Sequence, residues 1–76
     1  MELSVAFGSV IRKLRLEKKL TQEQLAFESE LRRTFISSIE LGQKEASLNT
    51  AFKLSKALGI AMCELIRLVE IDLSKK

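Results

Sequence analysis

The sequence predicts an all-α fold of five short helices in a single domain. Three observations carry that expectation. The chain has no proline and only three glycines in 76 residues, whereas a turn-rich β fold needs punctuating residues about every 8–12 positions. Apolar residues recur at helical spacing in segment after segment. Helix-start and helix-stop residues fall between those segments. A chain of this length makes one domain, residues 1–76. It buries only about 60% of its unfolded surface, so every helix must share one core.

The composition, 46% hydrophobic and 30% charged, is that of a globular chain. Net charge is +3 and the sequence pI is about 9.3, a balance that suits nucleic acid without singling it out. Residues 1–20 hold Arg12, Lys13, Arg15, Lys18 and Lys19 against Glu2 and Glu17. This cluster is open to two readings, a solvated helix face or an electrostatic footprint. With no histidine and one cysteine, Cys63, a zinc site of about four ligands is not expected. No metal, cofactor, small-molecule ligand or enzymatic role is expected, since no nucleophile constellation or phosphate loop is visible. No N-terminal signal pattern is seen. The longest uncharged apolar stretch, Ala57 to Cys63, is far below the roughly 20 residues that span a bilayer. A cytoplasmic protein with no membrane partner is the expectation.

The first helix covers residues 5–18. Phe7, Val10, Ile11 and Leu14, with Leu3 nearby, form its apolar stripe. Ser4 is placed to cap its start. Gly8 inside this helix costs about 1 kcal/mol against alanine and points to a closely packed neighbour. Thr21-Gln-Glu-Gln24 opens the second helix as a capping box, with Leu20 and Leu25 at the staple positions. This helix runs to about residue 28, with Ser29 and Glu30 in the turn. The third helix starts near Arg32 or Arg33 and ends at Leu41. Ile36, Ile39 and Glu40 share one side, and Arg33, Thr34, Ser37, Ser38 and Leu41 another. Gly42 suits a left-handed closing position. Ser47 caps a fourth helix with Leu48, Ala51, Phe52, Leu54 and Leu58 as its buried side. Gly59 closes it, with Ile60 packing back. A fifth helix begins near Ala61, where Met62 and Cys63 read as packing residues. In the tail, Val69, Ile71 and Leu73 alternate with polar residues, so both helix and short strand fit.

Two short helices joined by a turn of about three residues form a helix-turn-helix, whose second helix enters the DNA major groove. That groove admits one helix carrying outward groups for base edges. Arg33 can fork onto a guanine, while Thr34, Ser37 and Ser38 can exchange hydrogen bonds with bases. The start of the second helix, with Gln22, can hold a phosphate. Gln43, Lys44 and Asn49 are further backbone candidates. Phe35 either packs under the turn or projects toward DNA.

These residues resemble a known family. The blocks are Leu20-Thr21-Gln22-x-x-Leu25-Ala26, Ile36-Ser37-x-Ile39-Glu40-x-Gly42, Ser47-Leu48, Leu54-x-Lys56-Ala57-Leu58-Gly59-Ile60 and Glu64-Leu65. In order and spacing they resemble the phage-repressor and Cro type (XRE) helix-turn-helix proteins, over about residues 7–66. Leu31-x-Arg33-Thr34-Phe35-Ile36-Ser37 is similar to the controller proteins of restriction–modification systems. The resemblance implies a five-helix, lambda-repressor-like fold with a helix-turn-helix from helices 2 and 3. It implies a dimeric transcriptional regulator on double-stranded DNA, reading a partly palindromic operator. It places Gln22 on a phosphate and Arg33, Thr34, Ser37 and Ser38 on bases, and pairs Arg15 with Glu40. Lys19 and Glu30 stand where the family often has glycine. Arg32 stands where a capping residue is usual, but can meet a phosphate; Ala61 likewise lacks a capping side chain.

The apolar excess at Leu65, Leu68, Val69 and Ile71 exceeds what one small core needs. It points to residues 66–76 as a tail for homodimer formation. The alternative is an antitoxin or adaptor that uses the same fold mainly to bind a protein, which Leu41 and the apolar tail would suit.

Overall fold

The computed structural model describes residues 2–75; Met1 and Lys76, the ends of the expected domain, lie outside them. Five helices follow in order: α1 Glu2–Glu17, α2 Gln22–Ser29, α3 Arg33–Glu40, α4 Leu48–Leu58 and α5 Met62–Ser74. Among the described residues there is no strand. Helix α1 packs against α5 and α3, and α2 against α3 and α4. One core joins Ile11 of α1, Leu25 of α2, Ile36 and Ile39 of α3, Leu54 and Leu58 of α4 and Leu65 of α5, all essentially inaccessible. No described helix is long and apolar enough to cross a membrane.

The local signals place the helix starts well. Gln24 N–H donates to Thr21 Oγ1 (3.0 Å) and Thr21 N–H donates to Gln24 Oε1 (2.8 Å), closing the capping box. Ser47 Oγ accepts from Thr50 N–H at 3.0 Å. Ser4 is a correction: α1 already begins at Glu2, so Ser4 lies within the first turn and faces the core instead of capping.

Four helices end in one geometry. A left-handed residue follows the helix, and the next residue's N–H reaches back five positions, as a Schellman motif requires. The long bonds are Leu20 to Arg15 (3.1 Å), Leu31 to Ala26 (2.9 Å), Gln43 to Ser38 (2.9 Å) and Ile60 to Ser55 (3.0 Å). Gly42 and Gly59 occupy the left-handed position in α3 and α4 at φ 76° and 75°. Lys19 and Glu30 occupy it after α1 and α2, both at φ 60°. A side chain there costs about 1–2 kcal/mol. The backbone bonds and the burial of Leu25, Ala26 and Ser29 hold the chain in place regardless.

Gly8 has a tertiary reason. A Cβ at this position would lie 2.0 Å from the Ile39 carbonyl oxygen and 3.0 Å from that of Glu40. Helix α1 therefore crosses directly over the backbone of the last turn of α3.

Helix α4 departs from the expected buried side. Ala51, Leu54, Ser55 and Leu58 turn inward, a spacing of three, one and three residues that defines one helical stripe. Phe52 lies one position off that stripe and is half exposed, with the Lys56 ammonium 5.7 Å from its ring centroid. Leu48 sits in the first turn, past the rim of the core, and is 79% exposed. In α5 the tail resolves as helix up to Ser74. It lies along α1, where Leu68 and Ile71 face Val10 and Leu14 across a shallow groove; a strand would have no edge with which to pair. Cys63 is exposed, contrary to its expected packing role, whereas Met62 packs against the core. On the outer side of α5 the Arg67 guanidinium hydrogen-bonds Glu64 at 2.8 Å and 3.0 Å, holding that carboxyl below its ordinary range.

Candidate nucleic-acid interface

The turn between α2 and α3 is Glu30 to Arg32, and its geometry follows from the left-handed Glu30. Leu31 then packs inward, and Arg32 takes an extended conformation (φ −85°, ψ 144°) as the residue preceding α3. No side chain caps α3. Its first intrahelical bond is Ile36 N–H to the Arg32 carbonyl, so the amides of Arg33, Thr34 and Phe35 lie ahead of the ladder, a position that favours anions.

Helix α3 has eight residues, about 12 Å of helix. Ile36 and Ile39 anchor it, and Phe35 packs partly against the same core. Opposite that anchor, Arg33 and Thr34 are exposed and Ser37 and Ser38 half-buried. Ser38 Oγ donates to the Thr34 carbonyl at 3.1 Å; its lone pairs still accept. The structure thus brings the four expected base readers onto one helix.

The remaining expected contacts flank this face. Arg32 is exposed at its start, Gln43 and Lys44 are exposed just past Gly42, and Asn49 is exposed in the first turn of α4. Leu41 is exposed as well.

Beneath the face lies a buried ion pair. Arg15 Nε donates to Glu40 Oε2 at 2.6 Å and Nη2 to Oε1 at 3.0 Å, with the two side chains 10% and 3% exposed. The third guanidinium nitrogen, Nη1, donates to the Leu20 carbonyl at 2.8 Å. Arg15 therefore ties the last residue of α3 to both α1 and the entry into α2. Sequence reasoning missed the continuation of this network. Gln22 Nε2 donates to Glu40 Oε1 at 3.1 Å, and Arg33 Nη1 donates to Gln22 Oε1 at 3.4 Å. These partners stand 18 and 11 residues apart, so no local pattern announces them.

The tail requires a correction. Leu65 and Val69, expected at a dimer interface, are 0% and 2% exposed within the single chain. They are core residues, because their helical phase aims them at α1 and α4. The apolar groups left open lie elsewhere. Leu3, Leu48, Met62, Ile66 and Leu73 line an apolar groove of about 550 Å³ between the start of α1, the start of α4 and α5. Leu48 and Leu3 carried no distinguishing signal, since at helical spacing they read as core.

Comparison with known proteins agrees with this arrangement. The family model described as helix-turn-helix matches residues 11–65. The chain is 45% identical over 65 residues to the control protein C.BamHI of Bacillus amyloliquefaciens, covering 84% of this chain and 80% of that one. The crystal structure of the restriction–modification controller protein C.AhdI from Aeromonas hydrophila matches with a TM-score of 0.79 at 45% identity, covering 82% of this chain and 94% of that one. The restriction–modification controller protein C.Esp1396I, crystallised as a tetramer with its natural 35 base-pair operator, matches with a TM-score of 0.87 at 32% identity, covering 93% of each chain. The chain belongs to the helix-turn-helix family that includes the restriction–modification controller proteins.

Proposed function

We propose that this protein is a sequence-specific DNA-binding transcriptional regulator of the restriction–modification controller kind, acting as a dimer in the cytoplasm on a partly palindromic operator. The observation that carries the reading is α3 itself: a helix anchored by Ile36, Ile39 and the Arg15–Glu40 pair, with Arg33, Thr34, Ser37 and Ser38 on its open side. Arg33 reads a guanine, and the hydroxyls read neighbouring base edges. Arg32, Gln43, Lys44 and Asn49 contact phosphates and set the register. Gln22, at the start of α2, lies beside them.

The apolar groove lined by Leu3, Leu48, Met62, Ile66 and Leu73 is the dimer surface. Pairing two copies about a two-fold axis buries it. It also sets two α3 helices into successive major grooves about 34–36 Å apart. Selection of bound sequences from random DNA tests the reading. The expected result is a partly palindromic consensus bound with strong salt dependence. Failure to enrich any sequence would reject it.

A further inference from the structure

The amide of Gln22 is engaged at both ends. Its Nε2 donates to Glu40 Oε1 at 3.1 Å, and its Oε1 accepts from Arg33 Nη1 at 3.4 Å. Glu40 is held in turn by the Arg15 fork, with only 3% of its side chain exposed. A carboxylate accepts and cannot donate, so Glu40 binds only the NH2 end of the amide. A guanidinium donates and cannot accept, so Arg33 binds only the oxygen end. The buried pair therefore selects one of the two amide orientations, and it is the one that turns an acceptor toward Arg33.

We propose that Gln22 is a positioning residue for Arg33. The Arg15–Glu40 pair orients the Gln22 amide, and Gln22 holds the Arg33 guanidinium before DNA arrives. The inference rests on the assignment of Arg33 as a base reader. An unrestrained arginine loses rotamer freedom when it forks onto a guanine. A hydrogen bond formed beforehand lowers that loss and favours the geometry that discriminates bases. Gln22 then contributes to specificity at a base pair it does not touch. A phosphate contact alone would fix register and add nothing to base preference.

The test uses Gln22→Met, which keeps the length of the side chain and removes both hydrogen bonds. In the DNA-free protein, NMR relaxation of the Arg33 Nε–H should show a more mobile guanidinium in the variant, at unchanged thermal stability. On DNA, competition between the selected site and one altered at the Arg33 base pair should show discrimination reduced by about fivefold, part of what a bidentate contact supplies. Adding Gln22→Met to Arg33→Ala should cost no further discrimination. Unchanged Arg33 mobility overturns the inference, as does a uniform loss of affinity with base preference intact. If the wild-type protein enriches no DNA sequence, the regulator reading fails instead, and Arg33 mobility still decides the positioning role.

Discussion

Arg15 and Glu40, 25 residues apart in the chain, meet in a two-bond fork of 2.6 Å and 3.0 Å that fastens the end of α3 to α1. The contact lies under the helix that faces DNA, and the same guanidinium holds the Leu20 carbonyl before α2. Removing one partner leaves a buried charge without compensation. Arg15→Ala should therefore cost about 3–5 kcal/mol, a large share of the stability of so small a domain. Urea denaturation measures this, and a loss below about 1 kcal/mol would class the pair with ordinary surface contacts.

Gly8 is the second fixed point between the same helices. Alanine would improve helix propensity by about 1 kcal/mol, yet its Cβ would meet the Ile39 carbonyl oxygen at 2.0 Å. The steric term wins because that oxygen belongs to backbone. Gly8→Ala should destabilise by about 1–3 kcal/mol and shift α3 relative to α1. A variant of equal or greater stability would contradict the close crossing.

Lys19 and Glu30 carry the opposite expectation. Both hold φ near 60°, so glycine relieves steric cost at each. Lys19→Gly and Glu30→Gly should each raise stability by about 1 kcal/mol, read from the urea midpoint at constant slope. A fall in midpoint would mean that these side chains make contacts outweighing the strain.

On DNA, Arg33→Ala should weaken binding to the selected operator by about 1–3 kcal/mol and relax preference at one base pair. Lys44→Ala should instead weaken all sequences alike and lower the salt slope by about one unit. An Arg33→Ala protein with the original consensus would remove Arg33 from the reading set.

For the dimer, Ile66→Asp should yield folded monomers by sedimentation, since Ile66 is 41% exposed on the groove. Leu65→Asp should unfold the chain, because Leu65 is fully buried. A dimer that survives Ile66→Asp would place the interface elsewhere.

What the sequence determined by itself was mostly local. The Thr21 capping box, the Ser47 cap and the left-handed Gly42 and Gly59 each involve groups within about one helical turn, so spacing alone exposes them. The order of the helix-turn-helix blocks was legible too, and with it the open side of α3. Tertiary structure decided what depends on a neighbour from elsewhere in the chain. Leu48 and Phe52 read as core yet lie outside it, because burial requires a facing helix and α4 offers that face only to residues 51, 54, 55 and 58. Leu65 and Val69 read as interface yet fill the core, because α1 and α4 close over them. The link from Arg15 through Glu40 and Gln22 to Arg33 draws on three helices. Its donors and acceptors become partners only once the core has set those helices side by side.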